Sequence, residues 1–183
     1  MSIRNAILPA VAVAALTLGT RKVYTTVATK ERAQAFMPAI AAATKKYGLP
    51  EGLLYKVLEI ESSFRPDIIS GEKRSPTGAV GIAQFLPSTA AWLLKTDQAS
   101  AIEYVKDPIK AIDLSGRYLQ MLRNDKRITS WEEAAAAYNQ GAGGVNIAKR
   151  KATAAGGSWQ DFLKPEGRNY VAVIKKGMGG AIA

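Results

Sequence analysis

The chain has no cysteine and no histidine among its 183 residues. Without cysteine there is no disulfide framework, thiol nucleophile or zinc-thiolate site. Without histidine there is no Ser–His dyad, imidazole general base or imidazole metal ligand. Any catalysis therefore rests on Glu, Asp, Tyr, Lys or Ser. Acidic residues are also few: 15 Asp and Glu stand against 25 Lys and Arg, for a net charge of +10. That balance suits a polyanionic partner, whether nucleic acid, anionic membrane or anionic cell-wall polymer. It suits equally a surface made basic for solubility alone. No ordered basic–aromatic motif is present, so nucleic acid is not an expected partner. There is no internal repeat and no alternating strand pattern of useful length. The hydrophobic fraction of 48% and charged fraction of 22% are those of an ordinary globular chain, long enough for one substantial core.

No uncharged run is long enough for a comfortable membrane span. Asn5 to Thr20 carries no charge, with Arg4 before it and Arg21 and Lys22 after it. As a helix it would reach about 24 Å, against a hydrocarbon core of roughly 30 Å. It reads as a secretory signal, a short anchor or a membrane-active helix, with residues 6–18 as the candidate membrane contact. Basic residues directly after the run would favour a cytoplasmic location for the domain C-terminal to them. The organisation expected is an apolar N-terminal segment and linker over 1–29, an all-α domain over 30–176, and a small Gly-rich tail over 177–183, expected to be mobile.

Within the domain, helical stripes alternate with turn chemistry. Phe36, Met37, Ile40, Ala43 and Tyr47 form one stripe that stops at Gly48. Pro50 suits the first turn of the next helix. Residues 65–80 read as loop, being rich in Pro, Ser, Gly and Asp. Pro87 and Ser88 open a helix bearing Trp92, which is expected, like Trp131, in the core. Asp107-Pro108 is a helix start, followed by a buried face of Ile109, Ile112, Gly116, Leu119 and Leu122. Ser130-Trp131-Glu132-Glu133 fits a capping box opening an alanine-rich helix that Gly141, Gly143 and Gly144 are expected to end. Pro165 begins a last helix through Tyr170, Val171 and Ile174.

One carboxylate is out of place. At roughly 100° per residue, Glu61 lies within about 40° of Leu54, Val57 and Leu58 on the helix that carries them. Glu59 lies about 200° round from Glu61, toward solvent. A carboxyl group on an apolar face is ordinarily a salt-bridged structural group. If it is instead directed into a cleft, burial raises its pKa, as a general acid working near neutral pH requires.

Three stretches decide between those readings: Glu61-Ser62-Ser63-Phe64, then Ser75-Pro76-Thr77-Gly78-Ala79-Val80-Gly81-Ile82-Ala83-Gln84-Phe85-Leu86-Pro87, then Ala137-Tyr138-Asn139-Gln140-Gly141. In that order they resemble the soluble lytic transglycosylase (SLT) family, relatives of goose-type lysozyme. That family shows E-S-x-F/W, S-x-x-G-A-x-G-L-M-Q-x-x-P and A-Y-N-A-G. Glu166-Gly167-Arg168-Asn169-Tyr170-Val171 is similar to its closing E-T-x-x-Y-V. The resemblance covers roughly residues 35–175 and implies a compact lysozyme-like helical domain.

The resemblance also implies a chemistry. Glu61 would protonate the β-1,4 oxygen between N-acetylmuramic acid and N-acetylglucosamine in peptidoglycan. The substrate's acetamido oxygen would stabilise C1, and ionised Glu61 would then take the C6 hydroxyl proton. The product is a 1,6-anhydromuramic end. No water is consumed, and neither metal nor cofactor is needed. By the same resemblance Ser75 lies near the acid and the N-acetyl group, and Gln84 helps hold substrate. Tyr138 and Asn139 orient the acid and line the cleft, Tyr170 packs beside them, and Ser62 is a further candidate beside the acid. Ser62, Ser75, Gln84 and Tyr138 each also have a plain structural reading, and Asp67 reads as a turn residue. The partner implied is the glycan strand of peptidoglycan; the setting is a bacterial envelope, periplasmic or membrane-associated, or a phage virion.

Four departures from the pattern stand out. Ile82-Ala83 replaces Leu-Met, removing a side chain expected to touch the sugar. Gln140 replaces Ala, and Gly167 replaces Thr. The loop before Ser75 gains Glu72, Lys73 and Arg74. A goose-type hydrolase and a non-catalytic glycan-binding envelope or virion protein remain open alternatives.

Overall fold

The computed structural model describes residues 24–73 and 75–178. The apolar run over 6–18 and the tail from 179 lie outside the described residues, as does Arg74. Regular structure among the described residues is helical, apart from an isolated antiparallel bridge between Val80 and Phe85. None of these helices is long and apolar enough to cross a membrane.

Helix α1 (Tyr24–Ala33) begins ahead of the residues the sequence assigns to the domain. A 3-10 turn leads into α2 (Met37–Lys46), which buries Ile40 and Ala43 and is followed by Gly48 in a left-handed conformation, φ 60°. Helix α3 (Leu53–Ser62) starts three residues later than Pro50 suggests. The Leu53 N–H bonds the Pro50 carbonyl in a turn, and Gly52 takes a left-handed conformation (φ 81°) before the helix proper. Inside the expected 65–80 loop is the short helix α4 (Pro66–Ile69), anchored by buried Ile68. Helices α5 (Pro87–Leu94) and α6 (Gln98–Lys106) pack against each other. On α5 the buried residues are Thr89, Ala90, Ala91 and Leu93, so Trp92 falls on the outer face and is 44% exposed rather than in the core. Trp131 is only partly buried.

Helix α7 (Pro108–Arg123) runs through the middle of the bundle. Asp107 caps it, its Oδ1 accepting from the N–H groups of Ile109 (2.9 Å) and Lys110 (3.1 Å). The buried stripe starts at Ile112, not Ile109, which is 51% exposed in the first turn. Gly116 does allow the close approach its position suggests. A Cβ there would lie 2.7 Å from the Tyr47 ring and 3.3 Å from Ala43 Cβ, so α2 rests almost on the α7 backbone.

Helix α8 (Trp131–Ala155) departs most from expectation. Ser130 caps Glu133 N–H at 3.1 Å, but the Glu133 carboxylate turns to Thr129 N–H (2.7 Å) and Lys149 Nζ (2.8 Å). The glycines do not end the helix. Gly141 (φ 77°, ψ 150°) kinks it, and helix resumes through Gly143 and Gly144 to Ala155. Beyond the kink Val145, Ala148 and Ala152 recur at helical spacing and are buried, and that burial outweighs the weak propensity of the two glycines. A 3-10 turn (Trp159–Phe162) leads to α9 (Pro165–Met178), which lies against α8 and α3.

Candidate active site

Glu61 is on the last turn of α3 and is 2% exposed. Tyr170 of α9 donates its hydroxyl to Glu61 Oε1 at 3.0 Å, while Oε2 is buried with no protein partner. Burial pushes the carboxyl well above the usual range; the Tyr170 bond pulls it down by less, and the Glu166 charge pushes it up further. The phenols of Tyr138 and Tyr170 are themselves raised by burial and by the nearby Glu61 charge, so both remain donors. Glu59, two residues away, accepts from Lys56 Nζ (2.6 Å) and Tyr55 Oη (3.3 Å) on the half-exposed face. The helical phase therefore separates the two glutamates as the sequence indicates.

The chain turns sharply just beyond the acid. Ser63 (φ 49°) and Phe64 (φ 53°) are consecutive left-handed residues, neither of them glycine. Each such residue costs about 1–2 kcal/mol, so the turn needs support. Ser62 supplies part of it: its buried Oγ donates to Leu58 O and accepts from Phe64 N–H, both at 3.2 Å. Arg32 of α1 supplies more, donating Nε–H to Ser63 O at 3.2 Å. The buried Phe64 ring lies between Phe36 and Tyr55, at centroid distances of 6.1 and 5.4 Å. Ser62 thus serves the backbone behind the acid and is not hydrogen-bonded to it.

The second stretch folds into a tight loop closed by the Val80–Phe85 bridge, with backbone bonds of 2.9 and 3.1 Å. Gly81 (φ 76°) passes so near α6 that a Cβ would lie 2.3 Å from Val105 O. Gln84, left-handed at φ 47° and 2% exposed, folds its amide back to donate to Gly81 O at 2.8 Å. Ile82 and Ala83 are fully buried, so Ala83 presents no side chain at the surface. Its carbonyl accepts from the Tyr138 hydroxyl at 3.2 Å. Ser75 is bonded locally, its Oγ 2.8 Å from Thr77 Oγ1.

Helix α8 brings up the third stretch. The Tyr138 hydroxyl also lies 3.2 Å from Ser115 Oγ of α7, which donates to Ala111 O at 2.7 Å. Asn139 is 3% exposed and its Nδ2 has no partner. The structure therefore bonds Tyr170 to Glu61, brings Tyr138 within range of the Glu61 charge, and buries Asn139, which follows Tyr138 on α8. Gln84 and Ser75 are engaged within their own loop. Asp67 is held by the Arg65 guanidinium, which keeps its carboxyl below the usual range, in the structural role expected of it. Among the described residues no group of three or more acidic side chains is placed to hold a metal.

Sequence reasoning missed Ser115 and Arg32. Ser115 is one serine on an otherwise apolar helix face and gives no signal. Arg32 belongs to a helix whose residues show little periodicity.

The family model described as the transglycosylase SLT domain matches residues 38–160. That span includes Glu61, Ser75, Gln84, Tyr138 and Asn139, and stops before Tyr170. The chain is similar to the membrane-bound lytic murein transglycosylase C of Actinobacillus succinogenes, 34% identical over 125 residues. It is also similar to the proteins of that name from Histophilus somni (37%) and Haemophilus influenzae (36%). Each alignment covers 62% of this chain and 33% of the relative, so the chain spans about a third of the length of the curated relatives it matches.

Proposed function

The chain belongs to the transglycosylase SLT domain family, and from that premise we propose that it is a peptidoglycan lytic transglycosylase. It cleaves the β-1,4 bond between N-acetylmuramic acid and N-acetylglucosamine without water and leaves 1,6-anhydromuramic ends. The observation that carries this reading is Glu61: a buried carboxyl raised well above its usual range, held through one oxygen by Tyr170 and free at the other. A carboxyl so placed keeps its proton to higher pH than an ordinary carboxylate and has one oxygen to offer a leaving group.

In the reaction Glu61 gives its proton to the glycosidic oxygen as the C1–O bond breaks. The substrate's acetamido oxygen bonds C1 and forms an oxazolinium ion, which takes the place of a second carboxylate. Glu61, now ionised and stabilised by the Tyr170 hydroxyl, removes the proton of the C6 hydroxyl. O6 then closes on C1 and expels the acetamido oxygen, returning Glu61 to its acid form. The unpartnered Asn139 Nδ2 is a buried donor suited to an acetamido carbonyl. Ser62 positions the acid from behind, Tyr138 fixes the second stretch through Ala83 O, and Ser75 and Gln84 shape the loop through which substrate approaches.

Substrate lies in the cell envelope, and the names of the relatives, membrane-bound murein transglycosylases, suit that location. Residues 6–18 are the proposed membrane contact, and a virion-borne enzyme acting during entry is compatible with the same chemistry. The net charge of +10 favours approach to an anionic wall polymer.

The test is product analysis on purified peptidoglycan by mass spectrometry, wild type beside Glu61→Gln. Anhydro ends from the wild type and none from the variant are expected. Products heavier by one water would assign a goose-type hydrolase. Glycan binding without cleavage by either protein would assign a binding module.

A further inference from the structure

Two of the departures from the family pattern meet in space. Gln140 succeeds Asn139 on α8, and Gly167 lies on the first turn of α9, where it is buried. A Cβ added to Gly167 would stand 1.3 Å from Gln140 Nε2, 2.3 Å from its Cδ and 2.9 Å from its Cγ. Three successive atoms fall inside contact distance, so the whole side chain would have to leave, not only its tip. With the Gln140 side chain in this position, the pattern residue threonine does not fit at 167. The glutamine fits because the glycine is there.

The side chain is also tethered. Gln140 Oε1 accepts from Lys164 N–H at 3.3 Å, directly before Pro165 opens α9. Pro165 has no N–H of its own, so Lys164 offers the backbone donor that can anchor the start of α9 from this side. One helical turn beyond Gly167 is Tyr170, whose hydroxyl is bonded to Glu61. A shift of the first turn of α9 is therefore carried to the hydroxyl that holds the acid.

We propose that Gln140 and Gly167 are an interlocked pair that seats α9 on α8 and so sets the position of the Tyr170 hydroxyl on Glu61. Gln140 is a positioning residue, acting through Tyr170 and not on the sugar. This rests on the transglycosylase reading for its kinetic consequence but not for its structural one. The groups facing Glu61 are Tyr170 and Glu166 from α9 and Tyr138 from α8; Glu59, on its own helix, faces away.

The experiment tracks the Glu61 carboxyl by carbon-13 NMR titration in the full chain and measures anhydro-end formation against pH. Gln140→Ala releases Lys164 and loosens the seat. Its Glu61 midpoint should rise, in the direction of Tyr170→Phe, with a roughly threefold to tenfold fall in kcat. Gln140→Met refills the space without the acceptor and should recover thermal stability but not the midpoint. Gly167→Ala should be at least as damaging as Gln140→Ala. The double variants Gln140→Ala/Gly167→Ala and Gln140→Ala/Gly167→Thr should be no worse than Gln140→Ala alone, because the side chain the new Cβ strikes is gone. If Gly167→Ala fails to fold, those doubles still decide the matter against Gln140→Ala. An unmoved Glu61 midpoint in Gln140→Ala, or doubles that are additively worse, overturns the proposal. If wild type makes no anhydro ends, the enzymatic reading fails while the titration still tests the interlock.

Discussion

The two faces of α3 carry the same side chain two residues apart and make opposite use of it. On the outer face Glu59 is fully engaged, with Lys56 and Tyr55 on its two oxygens and water within reach. On the inner face Glu61 has one bond, one bare oxygen and, among the described residues, no cation. A carboxylate at low exposure without a cation is poor structural design, because the charged form loses hydration that nothing replaces. It is good design for an acid. The outer glutamate contributes to the helix, and the inner one weakens the fold but keeps its proton to higher pH than an ordinary carboxylate, as the proposed acid role requires.

The largest effect that sharpens this contrast is Glu61→Gln. The amide keeps the shape and can still meet Tyr170, but it cannot give or take the proton. Anhydro-end formation should fall by roughly 10²–10⁴-fold, the usual contribution of a positioned acid–base group. Stability should move the other way with pH. A carboxyl raised in the folded state favours folding fully below its unfolded pKa, and that advantage is lost as pH rises through the folded value. Wild type should therefore lose thermal stability between the ordinary carboxylate range and the raised pKa of Glu61, and Glu61→Gln should lose less over the same window. Equal slopes in the two proteins would mean that the inner face is as well solvated as the outer.

Tyr170→Phe comes next. It removes the one bond that favours ionised Glu61, so the carboxyl rises further and the upper limb of the rate profile moves to higher pH. The plateau rate should fall about tenfold, because in the proposed mechanism the same bond supports Glu61 as the base. The activity optimum of wild type should itself be mildly acidic, since the proposed mechanism requires Glu61 to start protonated. A rate still climbing above about pH 9 would contradict that assignment.

Ser62→Ala tests the turn that separates the inner face from the loop beyond it. It leaves Phe64 N–H without its acceptor in a buried, left-handed turn, at a cost of about 1–2 kcal/mol measured by denaturant unfolding. The loss in rate should be smaller than for Tyr170→Phe, because Ser62 touches the backbone and not the acid. A rate loss as large as that of Glu61→Gln at unchanged stability would instead make Ser62 a direct contact of the substrate.

How much of this was legible without coordinates depends on how local the cause is. Helical phase separates Glu59 from Glu61, and side-chain caps at Asp107 and Ser130 mark two helix starts, because each depends on residues within one turn. The apolar stripes do as well, apart from Met37, Ile109 and Trp92, which fall on outer faces at or near helix ends where few neighbours arrive to cover them. The resemblance placed Tyr138, Asn139 and Tyr170 near the acid, and the first and last of these do meet its charge or its oxygen. What escaped was non-local. The extension of α8 past Gly141 depends on what Val145 and Ala148 pack against, and the bond from Arg32 to Ser63 spans 31 positions. Gln140 and Gly167 were visible as two unrelated substitutions; only the fold puts one against the other.

The smallest effect should come from the outer face itself. Glu59→Gln removes the charge partner of Lys56 but leaves an amide that can still accept from Tyr55 and from Lys56. A partly exposed pair three residues apart on a helix is worth about 0.2–0.5 kcal/mol, and salt screens much of that. Unfolding should shift by no more than this, and the shift should shrink in high salt. Anhydro-end formation should stay within about twofold of wild type at every pH, since removing a charge that Lys56 already neutralises changes little at Glu61. A displaced pH profile in Glu59→Gln would show that the two faces are coupled through the helix, and the division of labour between the glutamates would then be one of degree.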